Sequence, residues 1–251
     1  MKSIVKYFLF LALLVVADSV FSQVINIEEQ RKTAKGSFYG NVDLSFEHER
    51  SKSIIWKTSN RSNLYFRYKK SLVMSFTNWT FSNAGGEKLQ HEGYQHLRYN
   101  LFVDTIVIPE VFGQYQFNDI RYIDYRALAG AGVRLNLFSN DTAKWYLGTS
   151  VMYEERQFTY DSVGQYNWRM NLYMNLDWNI TPTINLSGII YFQPSLHDFY
   201  DQNISMEGRF RVHLIKQLSL MVTAELAYES NPPVGINEYY SKLKSGLYYN
   251  F

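Results

Sequence analysis

The sequence predicts an all-β fold, a single antiparallel up-and-down transmembrane β-barrel of about 12 strands, and three observations predict it. Long stretches alternate apolar and polar residues one by one, as strands with two unlike faces do. The connections between them are tight at one end and longer at the other, as in a barrel whose two ends face different compartments. The chain also ends on "SGLYYNF", where Leu247, Tyr249 and Phe251 share one face up to the last residue. A soluble domain usually frays there.

The first element is a leader. Lys2 and Lys6 give a basic start, "YFLFLALLVVA" (Tyr7–Ala17) an apolar run of signal-peptide length, and "VFS" (Val20–Ser22) a cleavage site. The run is too short to span a bilayer comfortably as a helix. Residues 1–22 are therefore expected to be a signal peptide cut after Ser22, with 23–35 a short periplasmic N-terminal segment and 36–251 the barrel domain.

Alternation then places strands at about Gly36–His48, Ser53–Tyr68, Ser71–Phe81, Gly93–Phe102, Ile108–Asn118 and Tyr122–Leu137. The second half repeats the pattern at Trp145–Thr159, Tyr166–Ile180, Thr183–Gln193, Ile204–Ile215, Ser219–Tyr228 and Tyr240–Phe251. Tyr166–Ile180 is the clearest. Trp168, Met170, Leu172, Met174 and Trp178 take one face, and Asn167, Arg169, Asn171, Asn175 and Asp177 the other. At roughly 3.3 Å per residue such ribbons outrun ordinary strands of about five or six residues and can cross a bilayer while tilted. The first half of Ser53–Tyr68 alternates poorly. Lys69–Lys70, Thr181–Pro182 and Lys216–Gln217 read as tight turns, and Ser82–Glu92, Pro194–Asn203 and Glu229–Tyr239 as long loops.

Alternation alone leaves open which face is inside. A lipocalin-like barrel would bury the apolar face. Strand length favours the inverted arrangement, as do Trp145, Trp168 and Trp178 near strand ends on the apolar face, where interfacial aromatic girdles sit. The terminal strand agrees, because a membrane barrel must pair its last strand with its first.

Composition narrows the chemistry. Tyr (21), Phe (17) and Trp (5) are abundant, which suits strands with aromatic surfaces. The net charge of +2 gives no reason to expect a nucleic acid partner. With no cysteine, disulfides, thiolate metal sites and a cysteine nucleophile are excluded.

Few constellations carry chemistry. Ser195, His197 and Asp198 hold triad residue types in one loop, but side chains so close in sequence rarely converge as a triad must. His48, between Glu47 and Glu49, is a possible member of an outer metal or acid–base cluster. "AGAG" (Ala129–Gly132) lies within a strand, where close packing explains it better than phosphate binding. The inward faces are richer. A lumen charge network is expected from Glu207, Arg209, Arg211, Arg169, Asp177, Arg134, Glu110 and Glu225, with Arg98, Arg126, Glu154 and Lys244 on the same face. Both signs are interspersed, so they can pair across a barrel between the filled eight-stranded and the open 16–18-stranded kinds, at about twelve strands. Acids outnumber bases in the regions placed outside, among them Glu154, Asp201 and Glu229 against Arg121 and Arg156, so the rim is a candidate site for divalent cations shared with lipopolysaccharide.

Lys244, Gly246, Tyr249 and Phe251 match the pattern that resembles the C-terminal signal of bacterial outer-membrane barrels, which implies insertion by the barrel assembly machinery. "HLRYN" (His96–Asn100), "IDYRALAGAGVRLNL" (Ile123–Leu137), "YLGTSVMYEE" (Tyr146–Glu155), "YFQP…DF.D" (Tyr191–Asp201) and Pro232–Phe251 resemble an uncharacterised bacterial outer-membrane β-barrel family, some members of which are labelled salt-induced outer-membrane proteins. The resemblance implies fold and location and carries over no catalytic, metal or cofactor residue. The expected function is that of a non-enzymatic outer-membrane barrel of Gram-negative type, structural or a narrow pore for small polar solutes, in contact with lipid and lipopolysaccharide. The alternative is a surface-exposed hydrolase of lipid or peptide.

Overall fold

The computed structural model describes residues 37–50, 54–160, 164–215, 217–232 and 235–249. The expected leader, the 23–35 segment and Phe251 lie outside them.

Twelve strands follow one another along the chain: β1 Phe38–Arg50, β2 Ile54–Tyr68, β3 Ser71–Ala84, β4 Glu87–Leu101, β5 Val107–Asn118 and β6 Ile123–Ser139. They continue as β7 Ala143–Phe158, β8 Gln165–Thr181, β9 Ile184–Pro194, β10 Gln202–His213, β11 Leu218–Glu229 and β12 Tyr239–Tyr249. Every strand pairs antiparallel with its neighbour in sequence, in one up-and-down sheet. The sheet curls: Tyr173 of β8 reaches Glu110 of β5, and Arg121, after β5, reaches Glu229 of β11.

One expected loop is mostly strand. The stretch 82–92 contributes only Gly85 and Gly86 to a turn, and β3 and β4 extend to meet it. Both glycines have positive φ, 59° and 92°, the left-handed backbone that a two-residue hairpin turn of this kind requires. A register shift between Ser82 and Asn83 absorbs the extra residue.

The inside-out pattern holds around most of the wall. Leu97, Val111, Val151, Trp168, Met174 and Leu243 stand exposed on the outer face, while Arg98, Glu110, Glu154, Arg169 and Asn171 are buried on the inner one. It reverses over part of β2–β4. There Tyr65, Leu72, Met74 and Phe76 form a buried apolar cluster on the inner face, with Tyr39 stacked on Tyr65 at 4.6 Å. The outer face carries Asn60, Ser62, Ser75, Thr77 and Gln95 at the matching rungs. Their hydrogen bonds are internal: Thr77 donates to Gln95 (2.5 Å), Gln95 to Ser75 (2.9 Å) and Asn60 to Ser62 (2.9 Å). A satisfied polar group costs far less away from water than an orphan. Along the first half of β2 the outer face passes from Ile54 and Trp56 to Thr58, Asn60 and Ser62, which is where alternation is poor.

Among the described residues no rung joins β1 to β12, so the expected closing ladder is not seen there. β1 is exposed on both faces for nearly all its length.

Candidate functional site

Among the described residues, many charged side chains converge away from solvent in the lumen, most of them turned inward by strand parity. At its outer end, Glu154 of β7 accepts hydrogen bonds from Arg126 of β6 and from Arg169 of β8, the latter at 2.5 Å. Arg169, 1% exposed, also donates to the Asp201 carboxylate at 3.0 and 2.9 Å and to the carbonyls of Gln193 and Asp201, each at 3.2 Å. Glu229 on β11 accepts from Arg156 and from Arg121, 2.9 Å away and far off in sequence. Burial pulls Arg121 below the usual guanidinium range, while the Glu229 carboxylate acts against that shift. Four arginines thus share three carboxylates across four walls of the curled sheet.

Halfway down, Glu110 of β5 accepts from Arg98 (3.1 Å), Asn100 (3.3 Å) and, across the lumen, the Tyr173 hydroxyl (2.9 Å). Tyr173 can lie there because Gly148 faces it. A Cβ on Gly148 would come within 2.1 Å of the Tyr173 ring. Arg134 stacks on Tyr146 with its guanidinium carbon 3.8 Å from the ring centroid, the geometry of a cation–π contact. His96 lies between Phe76 and Phe112, both rings 6.1 Å away, and hydrogen-bonds Gln114 at 2.9 Å.

The β10–β12 wall carries further charged pairs. Glu207 accepts from Arg209 (3.0 Å), and Glu225 lies 3.7 Å from Lys244, whose side chain is 59% exposed. Arg211 contacts the Met221 sulfur at 3.8 Å, and Asp177 accepts from Asn185 at 2.8 Å.

Of the residues expected to form a lumen network, Arg169 and Glu110 sit at its two centres, and Arg134 packs on aromatic rings. Among the contacts described, Glu207, Arg209, Arg211, Glu225 and Asp177 meet residues of their own or adjacent strands. Arg121, Arg156, Asp201 and Glu229, read from the sequence as rim residues, turn inward. Arg156 lies inside the strand expected over Trp145–Thr159 and shares a face with Glu154, which parity could have revealed, while β11 runs one residue further than expected, to Glu229, and Arg121 and Asp201 sit in the connections after β5 and β9.

The loop constellations do not assemble. The Ser195 hydroxyl donates to Asn167 (2.8 Å) and accepts from the backbone N–H groups of His197 (3.1 Å) and Asp198 (3.2 Å), so it serves as a turn cap. Glu47 and Glu49 alternate with His48 in β1, so His48 stands on the opposite face. Among the described residues no group of three His, Asp or Glu side chains could hold a metal ion.

A family model described as "Protein of unknown function, DUF481" matches residues 33–251. No curated protein matches the chain in sequence. Among solved structures, the chain is similar to the NanC porin at 8% identity and TM-score 0.46, covering 84% of this chain and 100% of that one. It is similar to the translocator domain of the autotransporter NalP from Neisseria meningitidis at 7% identity and TM-score 0.47, covering 90% and 92%. The copper transporter OprC matches at 14% identity and TM-score 0.41, covering 85% of this chain and 48% of that one. The fold described above rests on the strand ladders themselves.

Proposed function

The chain belongs to the DUF481 family of unknown function, and from the lumen geometry we propose that it is an integral outer-membrane β-barrel of Gram-negative type, non-enzymatic, whose interior is closed by its own side chains. One observation carries this reading: Arg126, Glu154, Arg156, Arg169, Asp201, Glu229 and Arg121 cross-link the outer end of the lumen from several walls at once. Ion pairs in such an enclosed site are screened little by salt. The exposed apolar outer face supports the membrane setting, since its pattern is that of lipid-facing strands with a polar interior. The leader in residues 1–22 and the C-terminal Lys244, Gly246, Tyr249 and Phe251 pattern support export and delivery to the barrel assembly machinery.

A second reading is a narrow path for small polar solutes along the β10–β12 wall, favoured by the loosely held Glu225 and Lys244. The hydrolase alternative gains no support, because the Ser195 hydroxyl is committed to Asn167 and to the backbone.

Planar-bilayer recording separates the two readings. The purified protein is expected to be silent, with conductance appearing only when Arg156 and Arg169 are both replaced by Ala. Steady wild-type conductance like that of a general porin would overturn the closed-lumen reading and favour the pore.

A further inference from the structure

The two edges of the sheet carry complementary faces. Inward-facing positions of β1 are Asp43, Ser45 and Glu47, paired with Arg61, Ser59 and Lys57 of β2. Inward positions of β12 are Lys242 and Lys244, beside Glu225 and Thr223 of β11. One edge is acidic and the other basic. Outward, both edges are largely apolar: Val42, Leu44 and Phe46 on β1 and Leu243 and Leu247 on β12 are all exposed. In hydrocarbon, neither edge can keep its backbone groups unpaired.

The existing ladders constrain how the edges can meet. Followed rung by rung, Asp43 leads to Gln165 on β8, and Tyr173, eight residues further along that strand, leads to Tyr240 on β12. The rung through Asp43 therefore reaches the last wall eight residues above Tyr240, beyond the outer end of β12. A closed barrel returns each rung displaced along the strands. For twelve strands tilted by about 35–45°, spaced about 4.8 Å with a rise of about 3.3 Å, the displacement is about 12 to 17 residues. Displacement in the opposite direction leaves β1 and β12 with no overlap. Only an even value keeps inward residues opposite inward ones.

We propose that β12 closes onto β1 with a displacement of about 14 residues, a tilt of about 39°, which sets Glu47 opposite Lys242 inside and Leu44 opposite Ser245 and Phe46 opposite Leu243 outside. In this register all of β12 finds a partner on β1. Lys244 lies opposite Ser45, diagonal to both Asp43 and Glu47, within reach of a long side chain. The seam thus adds a charged rung beside the Glu225–Lys244 pair of the lumen wall. The inference rests on the membrane-barrel reading above and adds the register to it.

Disulfide trapping tests it, and the absence of native cysteine makes it clean. Directly opposed residues lie about 4.5–5.5 Å apart at Cα, within disulfide reach, whereas partners two residues off lie about 7–8 Å apart. In outer membranes, the double variants Leu44→Cys/Ser245→Cys and Phe46→Cys/Leu243→Cys are expected to cross-link within one chain in most molecules. Leu44→Cys/Leu243→Cys and Leu44→Cys/Leu247→Cys are expected to trap at least tenfold less. Preferential trapping of either shifted pair overturns the register. Cross-links only between differently tagged copies overturn closure within one chain. No cross-link in any variant, with normal heat-modifiable mobility, overturns the seam while leaving the membrane reading intact. Wild type without heat-modifiable mobility in membranes would instead sink that reading itself. As a second arm, Glu47→Lys is expected to reduce the folded fraction severalfold, and Glu47→Lys with Lys242→Glu to restore it. Failure of the double reversal to restore it counts against the Glu47–Lys242 rung.

Discussion

Glu154 takes hydrogen bonds from arginines on both neighbouring strands, pairing Arg126 and sharing Arg169 with Asp201. Glu154→Gln keeps the shape and removes the charge. Breaking a buried pair from one side costs about 3–5 kcal/mol, so urea unfolding in detergent should show a loss of that order. Lys88→Ala, on the exposed hairpin, should stay within roughly 0.5 kcal/mol. Tyr173 gives a finer test. Tyr173→Phe removes one hydrogen bond to a charged group, worth about 1.5–3 kcal/mol. Gly148→Val should cost more, because its side chain would occupy the space of the whole ring. A Gly148→Val variant as stable as wild type would show that Tyr173 does not cross the lumen as described.

Strands and turns carry their own consequences. On the outer face of β3 and β4, Gln95→Leu alone strands Thr77 and Ser75 and should cost about 1–3 kcal/mol. Replacing all three, as Ser75→Ala, Thr77→Val and Gln95→Leu, should be neutral or stabilising in lipid vesicles, since no orphan remains. At the opposite end of the molecule, in the turn between β4 and β5, Asp104 accepts the backbone N–H groups of Ile106 and Val107, both at 2.7 Å. These bonds hold its carboxyl below the usual carboxylate range. The stability they lend is complete above the unfolded carboxyl's pKa and is lost as pH falls through the lower, folded one. Asp104→Ala should therefore lower the thermal midpoint at neutral pH and leave it unchanged in strong acid; an equal loss at both would contradict this. Elements of this kind were legible to different degrees. β8 could be read directly, because its apolar and amide-rich faces stay unmixed for its whole length. β2 was the least legible, although it forms as expected, because the outer face of its first half turns from Ile54 and Trp56 to Thr58, Asn60 and Ser62. The hairpin at Gly85–Gly86 was hidden for another reason: polar residues on both sides of the turn look like loop, although both strands continue through them.

For the whole molecule, the question is which medium surrounds the wall. Val151, midway along β7, faces outward and is 45% exposed. Val151→Arg should cost about 2–4 kcal/mol for a barrel folded in lipid vesicles, since the bilayer midplane excludes charge. In a water-facing wall it would cost almost nothing, so the measurement bears directly on the proposed location. Cross-lumen pairs such as Tyr173–Glu110 and Arg121–Glu229 belong to this scale too. Alternation tells which residues face inward, but which inward residues meet depends on curl and accumulated register around twelve strands, and no local pattern encodes that sum. Arg169 links this interior to the surface. It holds Asp201 by both carboxylate oxygens and the carbonyl, while its other end is fixed on Glu154. Mechanically, the 195–201 connection is a stiff handle on the charged cluster. An antibody or a force-microscope tip that grips the chain at His197 and lifts would load the Ser195 and Leu196 hydrogen bonds to β8 and then the Arg169–Asp201 contact, and would begin to pull the connection away from the wall only once these tore.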